Sequence, residues 1–280
     1  MLEMIAGDFC WRVVSYETRD APWQMAVDHA LLEIMDRKIG RGEEVKPIVR
    51  TYRFDKGAVI LGHEQNGQKF EDMEGYDFTM RISGGGHMYF APDDVHYCAI
   101  VPHSILPKDL IESYRMLNEP VVRALRMLGF NARLGRTSIK IDEGEEKTLV
   151  GTAQRRMKYA VLQHGSILIH DYDEKIFRLL KSGQDEIEVW KDKVVTLSML
   201  NGDVDVDKLA RKITLFYADE GYKETGLTDE ERELAGNLYK KIYTNPKVIG
   251  KGEKKKNHIC LIEGLMTNDY TEHVRQNSGL

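Results

Sequence analysis

The sequence predicts an α+β fold, with a mixed or antiparallel sheet and flanking helices. Segments typical of strands dominate the first two-thirds of the chain, and they do not alternate regularly with helices as they would in a doubly wound sheet. After residue 170 the pattern becomes more helical. The glycine run 84–86 neither has the form GxxxxGK[ST] nor opens a helix, which disfavours a P-loop or dinucleotide-binding fold.

Strands are predicted where short segments are rich in β-branched and aromatic residues or are continuously apolar. The clearest cover residues 9–16, 47–53, 57–61, 77–82, 95–101 and 160–169. The whole stretch 130–169 is typical of a strand meander, with a turn at 142–146.

Helices are predicted where apolar residues recur three and four positions apart. One opens at Pro22, and others cover 107–128, 205–217 and 228–243. Pro120 should kink or split the second of these, because proline removes a backbone donor and clashes with the preceding turn. The last begins with a capping box, since Thr228 is followed three residues later by a glutamate.

Composition excludes several classes of protein. The chain has 280 residues, 42% of them apolar, and a formal net charge of -5, which argues against a nucleic-acid partner. No run is apolar and long enough to span a membrane, and the first residues carry no leader pattern, so a cytoplasmic location is expected. The three cysteines lack disulfide-framework or zinc-ligand spacing, and no metal site is predicted.

Three segments carry a family resemblance in their order and spacing. Residues 81–89 (RISGGGHMY) resemble the signature R-x-S-G-G-G-x-V-Y, residues 150–156 (VGTAQRR) resemble G-S-A-Q/Y, and residues 162–168 (LQHGSIL) resemble H-H-G-T/S-L-L. Together they resemble the lipoate–protein ligase A and octanoyltransferase family, over roughly residues 10–220. The resemblance implies the fold of biotin ligases and class II aminoacyl-tRNA synthetases.

The resemblance also implies a set of binding residues. They are Arg81, Ser83, Gly84, Gly85, Gly86, His87, Gly151, Thr152, Ala153, Gln154, His164 and Gly165. Glycines can approach a ligand closely, their consecutive amides can cradle an anion, and an arginine can pair with a carboxylate or phosphate. The alternatives are a glycine hairpin that only turns the chain, a surface ion pair, ordinary sheet packing and a structural histidine.

The activity implied by the resemblance is attachment of a lipoyl or octanoyl group to a lysine of a lipoyl carrier domain. In the ligase reaction lipoate or octanoate is activated with ATP and Mg2+ as an acyl-adenylate. The acceptor is the lipoyl domain of a 2-oxoacid dehydrogenase E2 or the glycine-cleavage H protein. An acyl carrier protein as donor and a separate accessory subunit are further expected partners.

One departure from the family concerns the catalytic lysine. The family places it three residues before the glycine of G-S-A, and Thr148 stands there, with Lys147 one residue earlier. A shift of one residue turns a strand side chain to the opposite face. Lys147 is therefore the candidate catalytic residue only if a bulge restores it to the site; otherwise the site has no such lysine.

Two alternatives to the ATP-dependent ligase stay open at this point. One is an ATP-independent octanoyl or lipoyl transferase, although no cysteine stands near residues 137–138, where such enzymes place their nucleophile. The other is a non-catalytic binder of the acyl group or carrier. We expect a catalytic domain over 1–220, with a helical segment and tail at 221–280 packed on it. The basic run 251–257 is a solvated loop or a docking patch for acidic carriers.

Overall fold

The main body of the protein is an eight-stranded mixed sheet. The computed structural model describes residues 10–63, 65, 75–142, 146–170, 192–200, 204–219 and 222–249. The strand order is β11–β1–β2–β6–β10–β9–β8–β7. The strands are β1 (Arg12–Arg19), β2 (Ile48–Phe54), β6 (Val95–Pro102), β7 (Ala132–Leu134), β8 (Ser138–Asp142), β9 (Glu146–Arg156), β10 (Ala160–Ile167) and β11 (Glu224–Thr225).

Parallel and antiparallel pairs coexist in this sheet. Strand β1 is parallel to both β2 and β11, whereas β2–β6, β6–β10, β10–β9, β9–β8 and β8–β7 are antiparallel. The predicted α+β class with a mixed sheet is therefore confirmed, and so is the meander between residues 130 and 169.

A second, smaller sheet lies against one face of the first. It has the order β4–β3–β5, with β3 at Ala58–Leu61, β4 at Asp77–Met80 and β5 at Met88–Phe90. Its buried residues share a core cluster with helix α1 (Ala21–Gly40) and with one face of the main sheet. The protein therefore has a gap between two sheets in which a ligand can be enclosed.

In the described part of the chain, four longer helices cover the two faces of the main sheet. They are α1, α2 (Leu110–Met127), α3 (Val206–Ala218) and α4 (Asp229–Leu238); a π-helical turn, Tyr239–Tyr243, and a short helix α5, Pro246–Ile249, follow. Helix α1, with α4 packed on it, lies on the side of the small sheet. Helices α2 and α3 cover the opposite face, where a second apolar cluster forms.

Local sequence signals explain where the helices begin. The Asp20 side chain accepts from the amide of Trp23, and Pro22 stands in the first turn, where its missing N–H costs nothing. In α4 the Thr228 hydroxyl and the Glu231 carboxylate form both halves of the predicted capping box. None of the helices in the described ranges is both long and apolar enough to cross a membrane.

Of the two outcomes expected at Pro120, a kink or a split, the split does not occur. Helix α2 runs unbroken through Pro120, which is itself buried. Pro120 packs on the face that carries Leu117 and Val121, and the Tyr217 hydroxyl donates to the Leu117 carbonyl beside the missing hydrogen bond. Burial of this face and an added donor offset the loss of one helical bond.

The segment after residue 221 contributes to the same body. Strand β11 extends the main sheet beside β1, and Arg12 donates to Glu231 of α4 through both terminal nitrogens. The domain boundary at 220 stays a prediction. The basic run 251–257 and most of the turn 142–146 lie outside the described residues.

We predict that Gly165→Ala destabilises the fold. A methyl group on Gly165 of β10 would come within 2.6 Å of the Tyr97 ring, which is fully buried and anchored by donating to Asn118. Overpacking of this kind costs about 1–3 kcal/mol of unfolding free energy, measurable by urea denaturation. Gly151→Ala on the next strand is the control, because no atom lies within 4 Å of the added methyl group. Equal stability of the two variants would contradict the prediction.

Candidate active site

A cavity of about 410 Å³ lies between the small sheet and the α1 side of the main sheet. This volume falls in the range of small-molecule sites. Its walls come from α1, both sheets and the glycine-rich loop. The lining residues are Met25, Tyr52, Phe54, Ile60, Arg81, Gly84, Gly85, Gly86, Met88, Phe90, His96, Tyr114, Gly151, Thr152, Ala153, Gln154, His164, Gly165, Ser166 and Leu168.

The lining divides into an apolar part and a polar part. Aliphatic and aromatic side chains from α1, the small sheet and β2 form the apolar part, among them Met25, Phe54 and Phe90. Backbone groups of the glycine loop and of β9, together with His164, form the polar part. Such a surface suits a ligand with a hydrocarbon chain at one end and a polar group at the other.

The Arg81 side chain shapes the glycine loop. Its guanidinium donates to the carbonyls of Gly84 at 2.8 Å, Gly86 at 2.7 Å and Ile60 at 3.3 Å. Burial lowers the pKa of Arg81 to about 10, so the side chain still carries its charge at neutral pH. Arg81 lines the cavity as predicted, but its donors are engaged by backbone carbonyls rather than held free for a carboxylate or phosphate.

Glycine is required at two points of this loop. Gly85 has a φ of +97°, in the region that side chains rarely adopt. Its carbonyl oxygen would lie 1.9 Å from a methyl group at Gly62. The backbone of the segment after β3 and that of the glycine loop therefore touch, and no side chain fits between them.

A chain of buried hydrogen bonds joins this loop to the main sheet. The Ser83 Oγ lies 2.5 Å from Nε2 of His164, and Nδ1 of His164 lies 3.2 Å from Oδ2 of Asp28. Because the carboxylate can only accept, Nδ1 carries the proton and Nε2 accepts from the serine. Asp28 also accepts from Arg50 at 2.8 Å and from Tyr52 at 3.0 Å.

The order serine–histidine–aspartate is that of acyl-transfer triads, but its placement here is different. Ser83 is fully buried and does not belong to the cavity lining. A hydroxyl without access to a ligand cannot attack it. The chain of hydrogen bonds therefore fixes the glycine loop and the His164 ring in place.

The electrostatics of this chain favour an ionised Asp28. Burial alone raises the pKa of Asp28, but the hydrogen bond from His164 and the charge of Arg50 outweigh it, and the pKa ends below its ordinary value. Asp28 and Arg50 are both completely buried, so each compensates the charge of the other in a medium that screens poorly.

Strand β9 supplies the polar wall through its backbone. Gly151 faces Ser138 of β8 and Ser166 of β10. Strand β8 begins at Ser138, so β9 has no β8 partner beyond Gly151. The Tyr114 hydroxyl accepts from the Gln154 amide at 3.0 Å on this edge. One wall of the cavity is thus formed by the part of β9 after Gly151, which has no pairing with β8.

A bulge in β9 decides which side chains face the cavity. Ile139 pairs with Val150 and Lys140 with Thr148, so Leu149 is extra, and both Leu149 and Val150 enter the apolar cluster on the α2 side. Side chains directly across a strand pair share a face. Thr148 and Lys140 therefore lie on the cavity side of the sheet.

Lys147, the predicted catalytic residue, is not brought to the site. It pairs with Ile141, which is buried in the cluster on the α2 side, so its side chain leaves the sheet on the face away from the cavity. The bulge exists, but it turns Thr148 rather than Lys147 toward the cavity. Of the two alternatives that the sequence left open, this register does not support the one in which a bulge restores Lys147 to the site, and a catalytic role of Lys147 stays an untested prediction.

Cys98 and His96, a thiol and an imidazole near the cavity, are inert. Cys98 is fully buried, and burial with the neighbouring Asp28 carboxylate raises the pKa of its thiol well above the ordinary value. Burial lowers the pKa of His96 to about 3. The neutral His96 ring lies between Tyr52, Phe54 and Phe90 and belongs to the apolar wall.

Most of the predicted binding residues converge on the cavity. Ten line it: Arg81, Gly84, Gly85, Gly86, Gly151, Thr152, Ala153, Gln154, His164 and Gly165. Ser83 lies behind the loop and His87 lies near Gln65, 3.3 Å from its amide nitrogen; neither is part of the lining. The aromatic and aliphatic wall and the Asp28–Arg50 pair were missed, because in the sequence they have the apolar or helical pattern of any core.

The donor set of the cavity does not fit Mg2+. This cation takes carboxylate oxygens and phosphates, and the described residues of the lining include neither aspartate nor glutamate. Within the described ranges no cluster of three histidine, cysteine, aspartate or glutamate side chains could hold a metal ion.

Comparison with known proteins gives the same class of enzyme as the geometry. The family model described as the lipoyl protein ligase A/B catalytic domain matches residues 20–217. An octanoyltransferase LipM from Kyrpidia tusciae is 31% identical over 270 residues, covering 82% of this chain and 95% of that protein. A lipoate-protein ligase A subunit 1 from Thermoplasma acidophilum is 28% identical, covering 71% of this chain and 82% of the relative.

Solved structures agree with these relatives. A bi-partite lipoate protein ligase from Thermoplasma acidophilum superimposes with a TM-score of 0.71 and 26% identity, covering 89% of this chain and 99% of that chain. A lipoate-protein ligase A bound with ATP gives a TM-score of 0.69 at 25% identity, covering 85% and 98%. The fold and cavity define an enzyme of the ligase or acyltransferase type. The chain belongs to the lipoyl protein ligase A/B family, as the three sequence segments predicted.

We predict that Asp28→Asn lowers the free energy of unfolding at neutral pH. We also expect the free energy of unfolding to fall less in acid in this variant than in the wild type. Loss of the Asp28 carboxylate leaves Arg50 with the more distant and 31% exposed Glu17, at 3.3 Å, at a cost of about 1–3 kcal/mol. A carboxyl whose pKa is lowered by folding stabilises the fold above its ordinary value of 3.8, and that contribution disappears as the pH falls through the folded pKa. The variant lacks this acid-dependent loss. Urea denaturation at neutral pH and at about pH 3 measures both effects.

Asp93→Asn is the matched control. Asp93 also pairs with an arginine, Arg53, but its side chain is 49% exposed, so its loss should cost less than about 1 kcal/mol. Equal losses at Asp28 and Asp93 would show that burial of the Asp28–Arg50 pair does not matter for stability.

Proposed function

We propose that this enzyme transfers an octanoyl or lipoyl group onto the side-chain amine of a lysine in a lipoyl carrier domain. The observation that carries the proposal is the cavity, which joins an apolar part to a polar part. Membership of the family and the names of the relatives support the same chemistry. The product is an amide between the acyl group and the acceptor lysine.

The cavity lining supports a medium-length hydrocarbon chain as the ligand. Met25, Ile60, Met88 and Phe90 would surround the chain, and burial of each methylene group contributes about 0.8 kcal/mol. The carbonyl end would then lie at the glycine loop and at Gly151. The unbranched methionine side chains adapt to the contour of an acyl chain.

The donor that we favour is an acyl thioester carried by an acyl carrier protein. The Kyrpidia tusciae relative and another from Bacillus subtilis are named octanoyltransferases, and the cavity lining carries no carboxylate for Mg2+. The second candidate is the ATP-dependent ligase, favoured by the structural similarity to a ligase that binds ATP. In that case ATP, Mg2+ and free lipoate or octanoate would be the substrates.

Transfer would occur without an acyl-cysteine intermediate. Among the described residues no cysteine lines the cavity: Cys98 is buried in the core and Cys10 is exposed, while Cys260 lies outside the described part of the chain. The acceptor lysine would attack the thioester carbonyl directly at the mouth of the cavity.

The acceptor that we propose is the lipoyl domain of a 2-oxoacid dehydrogenase E2 or the glycine-cleavage H protein. The Thermoplasma acidophilum ligase is described together with its E2 lipoyl domain and as bi-partite. By analogy an accessory subunit could complete this enzyme, and we propose a cytoplasmic location and a catalytic domain over residues 1–220.

Intact-mass measurement of an E2 lipoyl domain tests the proposal. The domain is incubated with the enzyme and, in separate reactions, octanoyl acyl carrier protein, octanoate with Mg-ATP, or lipoate with Mg-ATP. We expect an octanoyl increment with the carrier protein and none on a domain whose acceptor lysine is arginine. Increments only with Mg-ATP would establish the ligase instead. No increment in any reaction would contradict acyl transfer.

We predict that Met88→Trp shortens the acyl chain that the enzyme accepts. Met88 is half-buried and lines the cavity, so an indole at this position occupies space that the far end of an octanoyl chain needs. Octanoyl transfer should fall while butyryl transfer is retained, as measured by competition between the two thioesters. Met127→Trp is the control, because Met127 is 60% exposed and lies on α2 away from the cavity. An unchanged preference in Met88→Trp would place the acyl chain elsewhere.

We predict that a variant without cysteines, C10A/C98A/C260A, retains acyl transfer. Direct attack on the thioester needs no enzyme thiol. Wild-type enzyme incubated with octanoyl acyl carrier protein should likewise carry no octanoyl increment in its own mass. Loss of transfer in a folded variant, together with an acyl increment on the wild type, would establish a cysteine intermediate.

A further inference from the structure

The proposed transfer places negative charge on the acyl carbonyl oxygen, which a cation near that oxygen would stabilise. Among the residues that form the described lining, Arg81 is the only lysine or arginine. Its guanidinium is engaged by three backbone carbonyls. A side-chain cation that takes part in the reaction would therefore reach the cavity from just beyond this lining.

Lys140 lies at that position. It stands two residues along β8 from Ser138, which pairs with Gly151 of the cavity wall. Two strand residues span about 6.6 Å, a distance that the four-carbon stem of a lysine covers. The bulge places Lys140 on the cavity face, and the amide of Leu168, another lining residue, donates to the Leu149 carbonyl of the bulge at 3.4 Å.

The amine of Lys140 is held on this face by a specific contact. Its Nζ donates to the Thr148 hydroxyl at 2.7 Å. Thr148 is fixed on both sides, since it pairs with Lys140 and its carbonyl accepts from Val195 at 3.0 Å. The Lys140 side chain is 21% exposed, so its amine is partly shielded from water yet free to move by rotation of its stem.

A surface ion pair does not account for this placement. Within the described ranges the carboxylate that pairs with Lys140 is that of Glu146, 3.9 Å from Nζ, and it is bound more closely by Arg133, at 2.5 Å. The Glu146 side chain is half exposed, and an exposed pair at such a distance contributes little. The Thr148 hydroxyl is thus the principal partner of the amine.

We propose that Lys140 is a catalytic residue whose ammonium group stabilises the charge on the acyl carbonyl oxygen; this rests on the proposed acyl transfer. The acceptor lysine, as a neutral amine, attacks the carbonyl carbon, a C–N bond forms, and the carbonyl electron pair moves onto oxygen beside the Lys140 ammonium. The pair returns as the C–S bond breaks. The proton of the attacking amine passes to the departing sulfur, which leaves an amide and a free thiol.

The test compares Lys140→Met with Lys147→Met in the full chain. Lys147 is the matched control, since it lies one residue from Thr148 on the opposite face. Single-turnover octanoyl transfer to an E2 lipoyl domain is followed by intact mass, with thermal unfolding as a check on folding. We expect Lys140→Met to lose at least about 100-fold in rate, the usual cost of removing one such donor, with the affinity for the carrier protein unchanged. Lys147→Met should keep the wild-type rate.

A relocation variant distinguishes catalysis from structure. K140M/T148K places the ammonium on the same face from the neighbouring strand, and we expect it to recover most of the lost rate. A wild-type rate in K140M, or no recovery in a folded K140M/T148K, would overturn the assignment of Lys140 alone. A wild-type enzyme that modifies no acceptor with any donor would overturn the proposed function and this assignment together.

Discussion

The buried charge of Arg50 is the constraint on which the site depends. Arg50 belongs to β2 and is completely enclosed, so its charge must be compensated within hydrogen-bond distance. Asp28 of α1 supplies the carboxylate at 2.8 Å, which ties the helix to the sheet. The same carboxylate orients His164, and His164 holds Ser83 at the base of the glycine loop. One ion pair therefore positions a helix, two strands and the loop at the polar end of the cavity.

Much of the fold was predictable because its local signals agree with its tertiary contacts. The capping box at Thr228 and the strand meander after residue 130 are determined by neighbouring residues. The short strands β5 and β11 were not predicted, since their pairing depends on distant partners rather than on their own pattern. The effect of Pro120 could not be predicted for the same reason. Proline disfavours the interior of a helix, but here the packing of its buried face keeps the helix continuous.

The site was predictable in its polar half and not in its apolar half. Glycine, arginine and histidine motifs stand out from the rest of a sequence, and they converge on the cavity. The residues that would contact an acyl chain, such as Phe54 and Ile60, have the same apolar sequence pattern as core residues. Only the structure shows which apolar residues line the cavity and which are packed in the core. The face of the sheet on which the Thr148 and Lys147 side chains lie could not be predicted either, because a bulge of one residue has no recognisable sequence pattern.

The bulge at Leu149 has a consequence for how such enzymes diverge. Cross-strand neighbours such as Lys140 and Thr148 occupy adjacent space although eight residues of chain separate them. A functional group can therefore change strands by two substitutions, with no change in the backbone. A sequence alignment would then show the functional residue as missing at its usual position, although a residue on the neighbouring strand places the same group in the same space. Apparent gaps in the active sites of divergent relatives are best examined across the sheet before the relatives are classed as inactive.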